Sequence, residues 1–137
     1  MLGMDGMTTW CKLTNQQGQT HNGTQWGENV RHEGTGEGPL CGPGWVHLYD
    51  DPLLAVLLNS IHANFDDPLL WECSVEEPHQ ADHGLKWGFK AAITLRQMPL
   101  PVVTIEQRIR FGILCAWEVC TDRAWRKWAD SWLSGKD

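Results

Sequence analysis

The chain has 137 residues, 42% hydrophobic and 20% charged, a size and balance that fit one folded domain and exclude a disordered chain. A net charge of -6 argues against general affinity for a phosphate backbone, and no apolar run approaches the roughly 18 residues of a membrane span. The five cysteines, odd in number and never spaced as CxxC, spell neither a disulfide framework nor a zinc knuckle, so reduced and mostly buried thiols are expected.

Residues 1–7 carry neither the basic group nor the apolar stretch of a leader, which predicts a flexible start and a cytoplasmic protein. Thr8 to Leu13 is a short β-prone run, ended by the turn-rich stretch from Thr14 to Thr24, and Gln25 to Glu33 reads as a second extended piece. Gly34, Gly36, Gly38, Gly42 and Gly44 then crowd one long connection. They do not form a phosphate loop, since no GK[ST] follows and no GxGxxG joins a strand to a helix. The turn Cys41-Gly-Pro-Gly44 leads into a predicted strand at 45–49, whose period of two puts Trp45, His47 and Tyr49 on one face and Val46 and Leu48 on the other. Asp51 before Pro52 is an N-cap followed by proline at the first helical position. With Leu53, Leu54, Val56, Leu57 and Ile61 at helical spacing it predicts a buried helix from about 52 to 63.

A strand follows over 70–76, then a polar loop at 76–84, then one further strand or a strand pair from Leu85 to Leu95, with Pro99 and Pro101 breaking what comes next. Thr104-Ile-Glu-Gln107 is a capping box. It opens a helix in which Ile105, Ile109, Ile113, Ala116 and Cys120 share a face that Phe111, Leu114 and Trp117 widen, so burial on two sides is expected. A second helix starts after Thr121-Asp122, carries the stripe Trp125, Trp128, Ala129 and Trp132, and stops at Gly135. The expected fold is α+β: a small, mainly antiparallel sheet covered by one central helix and a C-terminal helical pair, in a single domain over 1–137. Residues 1–82 hold 2 basic and 12 acidic side chains, and residues 83–137 hold 9 and 5, an asymmetry that the two parts can neutralise within one fold.

Nine tryptophans against one tyrosine is the unusual feature, because each indole brings apolar area and an N–H in need of a partner. The face of Trp45, His47 and Tyr49, beside Cys41 in the Gly-rich turn, could hold a planar or charged ligand by stacking and hydrogen bonds. The competing reading is a satisfied, buried histidine among packed rings. Metal ligands could be drawn from Cys41, His47, His62 and Cys73, or from His79 and His83, but no spacing makes them converge, so neither a metal nor a cofactor is expected. Cys41 or Ser74 with His47 lacks a nucleophile elbow, and the adjacent carboxylate pairs read as caps and solvated loop charge. Trp125, Trp128 and Trp132 read first as core and second as a docking stripe rimmed by Arg123, Arg126 and Lys127. Oligomeric state is not written in the spacing.

Two runs carry a resemblance: Trp26-Gly-Glu-x-Val30 with Gly36-Glu-Gly-x-Leu-Cys-Gly-Pro-Gly-Trp-x-His-x-Tyr49, and Trp128-Ala-x-x-Trp-Leu-Ser-Gly135. They resemble a family of bacteriophage and bacterial proteins with no assigned activity, over most of the chain from about Thr9. The resemblance implies a phage-type protein and brings no reaction. A looser likeness, in the order of a Gly-rich lead, a strand, a helix and a strand, is to ADP-ribosyltransferase-like folds, in which His47, Tyr49 and Glu72 would face a bound NAD, although their order departs from the usual pattern. Fold-level likeness does not establish function. The expectation is a small binding protein acting through protein contacts or a small ligand, with an NAD-dependent transferase as the alternative and with nucleic acid and membrane disfavoured as partners.

Overall fold

The computed structural model describes residues 8–135; the expected flexible start over residues 1–7 lies outside the described residues, as does the side chain of Ile61. Two compact units divide the chain between Pro101 and Val102. The first holds five strands and a helix: β1 (Trp10–Thr14), β2 (Val30–Glu33), β3 (Val46–Leu48), α1 (Pro52–His62), β4 (Leu69–Ala81) and β5 (Trp87–Met98). The second holds α2 (Ile105–Trp117) and α3 (Arg123–Leu133). The class is α+β, and every strand pairing is antiparallel.

In the first unit the long β4–β5 hairpin is the frame. One edge of β4 carries β1, and the far edge of β5 carries β3 and β2 in succession: β3 opposite Trp87 to Phe89, and β2 opposite Ala91 to Thr94. The two short strands thus behave as one strand interrupted by the Gly-rich excursion. Its ends are drawn together by Gly36 N–H donating to the Gly44 carbonyl at 2.8 Å. A Cβ on Gly44 would overlap the Glu37 carbonyl, so only glycine permits that approach.

The residue after β3 closes the sheet. Tyr49 and Cys11 exchange both backbone hydrogen bonds at 2.9 Å, so β1, β4, β5 and β3 follow one another in a ring. Such closure removes the free edge that β1 would otherwise present. Val46 and Leu48 fall on one side of β3, as their alternation predicts. They pack with Trp10, Trp71, Phe89 and Ala92 in a core where Leu48 and Phe89 are wholly buried. Each such side chain contributes about 1.5–3 kcal/mol by leaving water.

Two expectations change here. The segment 76–84 is not a loop: β4 continues through it to Ala81, and the turn is confined to the residues between Asp82 and Lys86. Pro78, preceded by a cis peptide bond, is absorbed because the register shifts between Glu76 and His79, leaving a bulge where no ladder N–H is required. The buried face of α1 is also rotated from its expected line. Ala55, Val56 and Leu58 are buried, whereas Leu53 is exposed at the first turn, where its N–H is capped by Asp51 at 2.8 Å.

The second unit is a helical pair in which capping residues act as expected: Thr104 and Gln107 form the capping box of α2, and Asp122 accepts from Trp125 N–H at 2.8 Å in α3. Arg126 of α3 donates to the Trp117 and Cys120 carbonyls at 2.8 and 2.9 Å, with its guanidinium 4.4 Å from the Trp117 ring centroid, and so ties the two helices. Burial of α2 on two sides is not found: Ile113 is its one buried residue, while Ile105, Ile109 and Leu114 are exposed. A helix with a single neighbour inside its unit has one stripe to cover.

A buried hydroxyl links the frame to the segment before β2. Thr94 Oγ1 on β5 donates to the Gly27 carbonyl at 2.5 Å and accepts from Gly27 N–H at 3.2 Å. Thr94→Val keeps the shape and orphans both backbone groups, so it is expected to cost about 1–3 kcal/mol. A lowered midpoint in urea unfolding with unchanged slope is the expected reading, and an unchanged midpoint would contradict the role.

Candidate functional site

Beyond the Tyr49–Cys11 bridge, β1 and β3 part. The next carbonyl along β3, that of His47, is met by the ammonium of Lys12 at 2.7 Å. Where the strands separate, a cleft of about 650 Å³ opens, a volume within the usual range for small-molecule sites. Lys12 and Leu13 of β1 line it, with His32 and Glu33 of β2. The Gly-rich loop adds Cys41 to Pro43, the turn before β2 adds His21 and Trp26, the end of α1 adds His62 and Phe65, and Lys86 enters from the β4–β5 turn.

Much of this wall is aromatic, and the rings are held in pairs. His21 stacks on Phe65 at 5.7 Å between centroids, His62 stacks on Tyr49 at 5.7 Å, and Trp26 meets His32 edge-on at 4.6 Å. Trp26 is buried, its Nε1 donates to Thr20 Oγ1 at 3.2 Å, and Gly27 beside it is the residue fastened by Thr94. His32 Nε2–H donates to the Gln25 carbonyl at 2.6 Å. These rings are therefore placed before any ligand arrives, which lowers the ordering entropy lost on binding.

His47 is half-buried, and its Nε2–H donates to the Leu40 carbonyl. Together with Trp45 Nε1, which donates to the Gly38 carbonyl at 3.0 Å, it pins the Gly-rich loop over β3. Burial first, then the positive charges of Lys86 and Lys12, holds the imidazole below its ordinary range against the opposing Leu40 bond, so it is neutral at pH 7 with Nδ1 as an acceptor. The Tyr49 hydroxyl and His62 Nδ1 share a hydrogen bond. Burial pushes the phenol up to about 12 and lowers His62, so the phenol keeps its proton and donates to the imidazole.

The cleft is electropositive. Its carboxylate among the described residues, Glu33, is already paired with Arg31 at 3.1 Å and faces Lys90 at 3.7 Å. Among the described residues no carboxylate lies within ion-pair distance of Lys12 or Lys86. The Lys12 ammonium lies 5.4 Å from the Trp26 ring centroid, and burial brings it down to about 8 from the ordinary 10.5.

Of the residues singled out by sequence, Cys41, Trp45, His47 and Tyr49 meet in this cleft. Glu72 does not. It sits on β4 opposite Cys11 and Arg96 and is held by Arg96 Nε at 2.6 Å, because the alternation of β4 turns it away from Trp71 and Cys73. Trp125, Trp128 and Trp132 belong to α3 in the second unit. There Trp125 packs against Trp117 at 6.1 Å and Trp128 at 6.3 Å, and Trp128 is 45% exposed. Sequence reasoning gave no place in the site to Lys12, His21, His32, Phe65 or Lys86, and the one available signal was Trp26 in its Trp-Gly-Glu run.

All five cysteines are free, but only Cys11 and Cys73 are buried, each pushed up to about 12 by desolvation, while Cys41 and Cys115 are exposed. Among the described residues no group of three or more His, Cys, Asp or Glu is arranged to hold a metal ion, and no helix is long and apolar enough to cross a membrane. His79 and His83 are bonded instead to neighbouring carboxylates, of Glu77 at 2.6 Å and Asp82 at 3.1 Å. No family model, curated protein or solved structure matches the chain.

The folded-state pKa of Lys12 lies below its unfolded value, so its burial penalises the folded state fully below about pH 8 and is relieved as pH rises from about 8 to 10.5. Wild type should therefore gain stability relative to Lys12→Met across that window. Unfolding free energies of both proteins at its two ends check this, and a difference independent of pH would contradict it.

Proposed function

We propose that the chain is a binding protein whose cleft takes a small planar ligand. The observation that carries this is the set of ring pairs, His21 with Phe65 and Tyr49 with His62, facing a cleft of about 650 Å³ alongside the buried Trp26. Stacking surfaces held at fixed positions suit a flat heteroaromatic group, and the neutral His47 supplies an acceptor to orient it. The three side-chain bonds to the Gly-rich loop, from Trp45, His47 and Gln80, support a cleft that is formed in advance. Cytoplasmic location, an expectation from the sequence, and phage or bacterial provenance, which rests on the resemblance alone, belong to the same proposal.

A transfer reaction on NAD has less support, because Glu72, the carboxylate that the likeness assigned to it, is engaged by Arg96 away from the cleft. A protein-docking role for α3 is likewise weaker, since Trp125 is already packed between Trp117 and Trp128.

Titration with adenosine, nicotinamide and NAD, followed by the ring signals of His21, Trp26 and Phe65 in nuclear magnetic resonance, tests the reading. At least one compound should produce saturable shifts at those rings. Phe65→Ala should then weaken binding roughly fivefold, the equivalent of about 1 kcal/mol of lost stacking. Absence of any shift at millimolar concentration of all three, in a folded protein, would overturn it.

A further inference from the structure

The two lysines of the cleft have no use in stacking. Lys12, Lys86, His47 and His62 all line the cleft, and Lys86 bears electrostatically on the other three. Four basic groups from β1, β3, α1 and the β4–β5 turn are thus assembled against mutual repulsion. Two carboxylates stand near them: Glu33 lines the cleft but is committed to Arg31, and Asp82 favours the charged form of His62 but is bonded to His83. The Cys73 thiol, pushed up by burial, is uncharged near pH 7 and offers Lys12 no counter-charge.

Holding an ammonium in a desolvated position without a carboxylate works against stability, since replacement of such a group by an apolar one is commonly neutral or stabilising. The stem of Lys12 runs from β1 and its head is held on the His47 carbonyl at 2.7 Å, at the wall of the cleft. A positive, partly dry concavity of this kind strengthens attraction for an entering anion.

We infer that the basic end of the cleft, Lys12 and Lys86 with His47 and His62, is a subsite for an oxyanion, the phosphate or carboxylate group of the bound ligand. The inference rests on the reading of the cleft as a ligand site and adds the charge of what occupies it. Lys12 supplies a fixed ammonium beside Trp26, so a ring and its anionic substituent can be met together. Lys86, from the β4–β5 turn, adds the second ammonium to the lining. His47 and His62 gain protons more readily once the anion offsets the two lysines.

The test uses the full chain near pH 7 with two anions that separate the possible sources: inorganic pyrophosphate for phosphate, and benzoate, run against uncharged benzamide, for carboxylate. Ring signals of His47 and His62 report the subsite. A saturable shift with either anion, weakened at least fivefold by Lys86→Gln and retained by Lys86→Arg, is the expected result. Lys86 is half-exposed on a turn, and its substitution leaves the core untouched. No saturable shift with either anion, or a shift unchanged in Lys86→Gln, would overturn the subsite. Pyrophosphate carries no ring and adenosine no charge, so the failure of this inference is distinguishable from failure of the stacking site.

Discussion

Two backbone hydrogen bonds between Cys11 and Tyr49 govern the arrangement of the first unit. With them, β1 is both the neighbour of β4 and the end of the path through β5 and β3, and the sheet closes round a core of Trp10, Leu48 and Phe89. The closure lasts for one residue pair. At the next carbonyl an ammonium stands where a strand amide would, and the strands separate. The same event that completes the core thereby opens the cleft, and it brings together side chains from residue 12 to residue 86.

The cleft is built at some cost to stability. Lys12 keeps its charge in a site that lowers its proton affinity, and His47 and His62 are held toward neutrality by burial and by nearby lysines. Elsewhere the unit avoids such conflicts. Several of its exposed charges are paired, as in Arg31 with Glu76 at 2.7 Å, and its buried hydroxyls, Thr14 and Thr94, are hydrogen-bonded. Two indoles, Trp10 and Trp87, are the exception, with buried N–H groups that find no partner among the described residues. They lie edge to face at 5.2 Å in the core, where ring packing offsets the loss. Local violations concentrated in one concave place are the pattern expected where function competes with folding.

What could be read from the sequence follows the range of the interaction responsible. Asp51-Pro52 and Thr104 to Gln107 announce helices through contacts spanning three residues, and both act as read. The alternation at 45–49 sorted Val46 and Leu48 from His47 because a period of two is local too. Continuation of β4 through Pro78 was not legible, since it depends on pairing with β5 and on a bulge that places the proline where no donor is needed. Most of the cleft was hidden for the same reason. Lys12, His21, Phe65 and Lys86 are unremarkable in their own segments and acquire meaning when the Cys11–Tyr49 closure gathers those segments. Glu72 was misplaced through a likeness that supplied an order of elements without the register deciding which way the side chain turns.

Native-state hydrogen exchange at the amides of Cys11 and Tyr49 tests the closure most directly. If these two bonds complete the ring, both amides should exchange only through the opening that releases the β4–β5 pairing, with protection equal to that of Ala91 and Ala92. Exchange of the Tyr49 amide at the rate of an unpaired loop, while Ala91 and Ala92 remain protected, would contradict the account and leave the cleft without its frame.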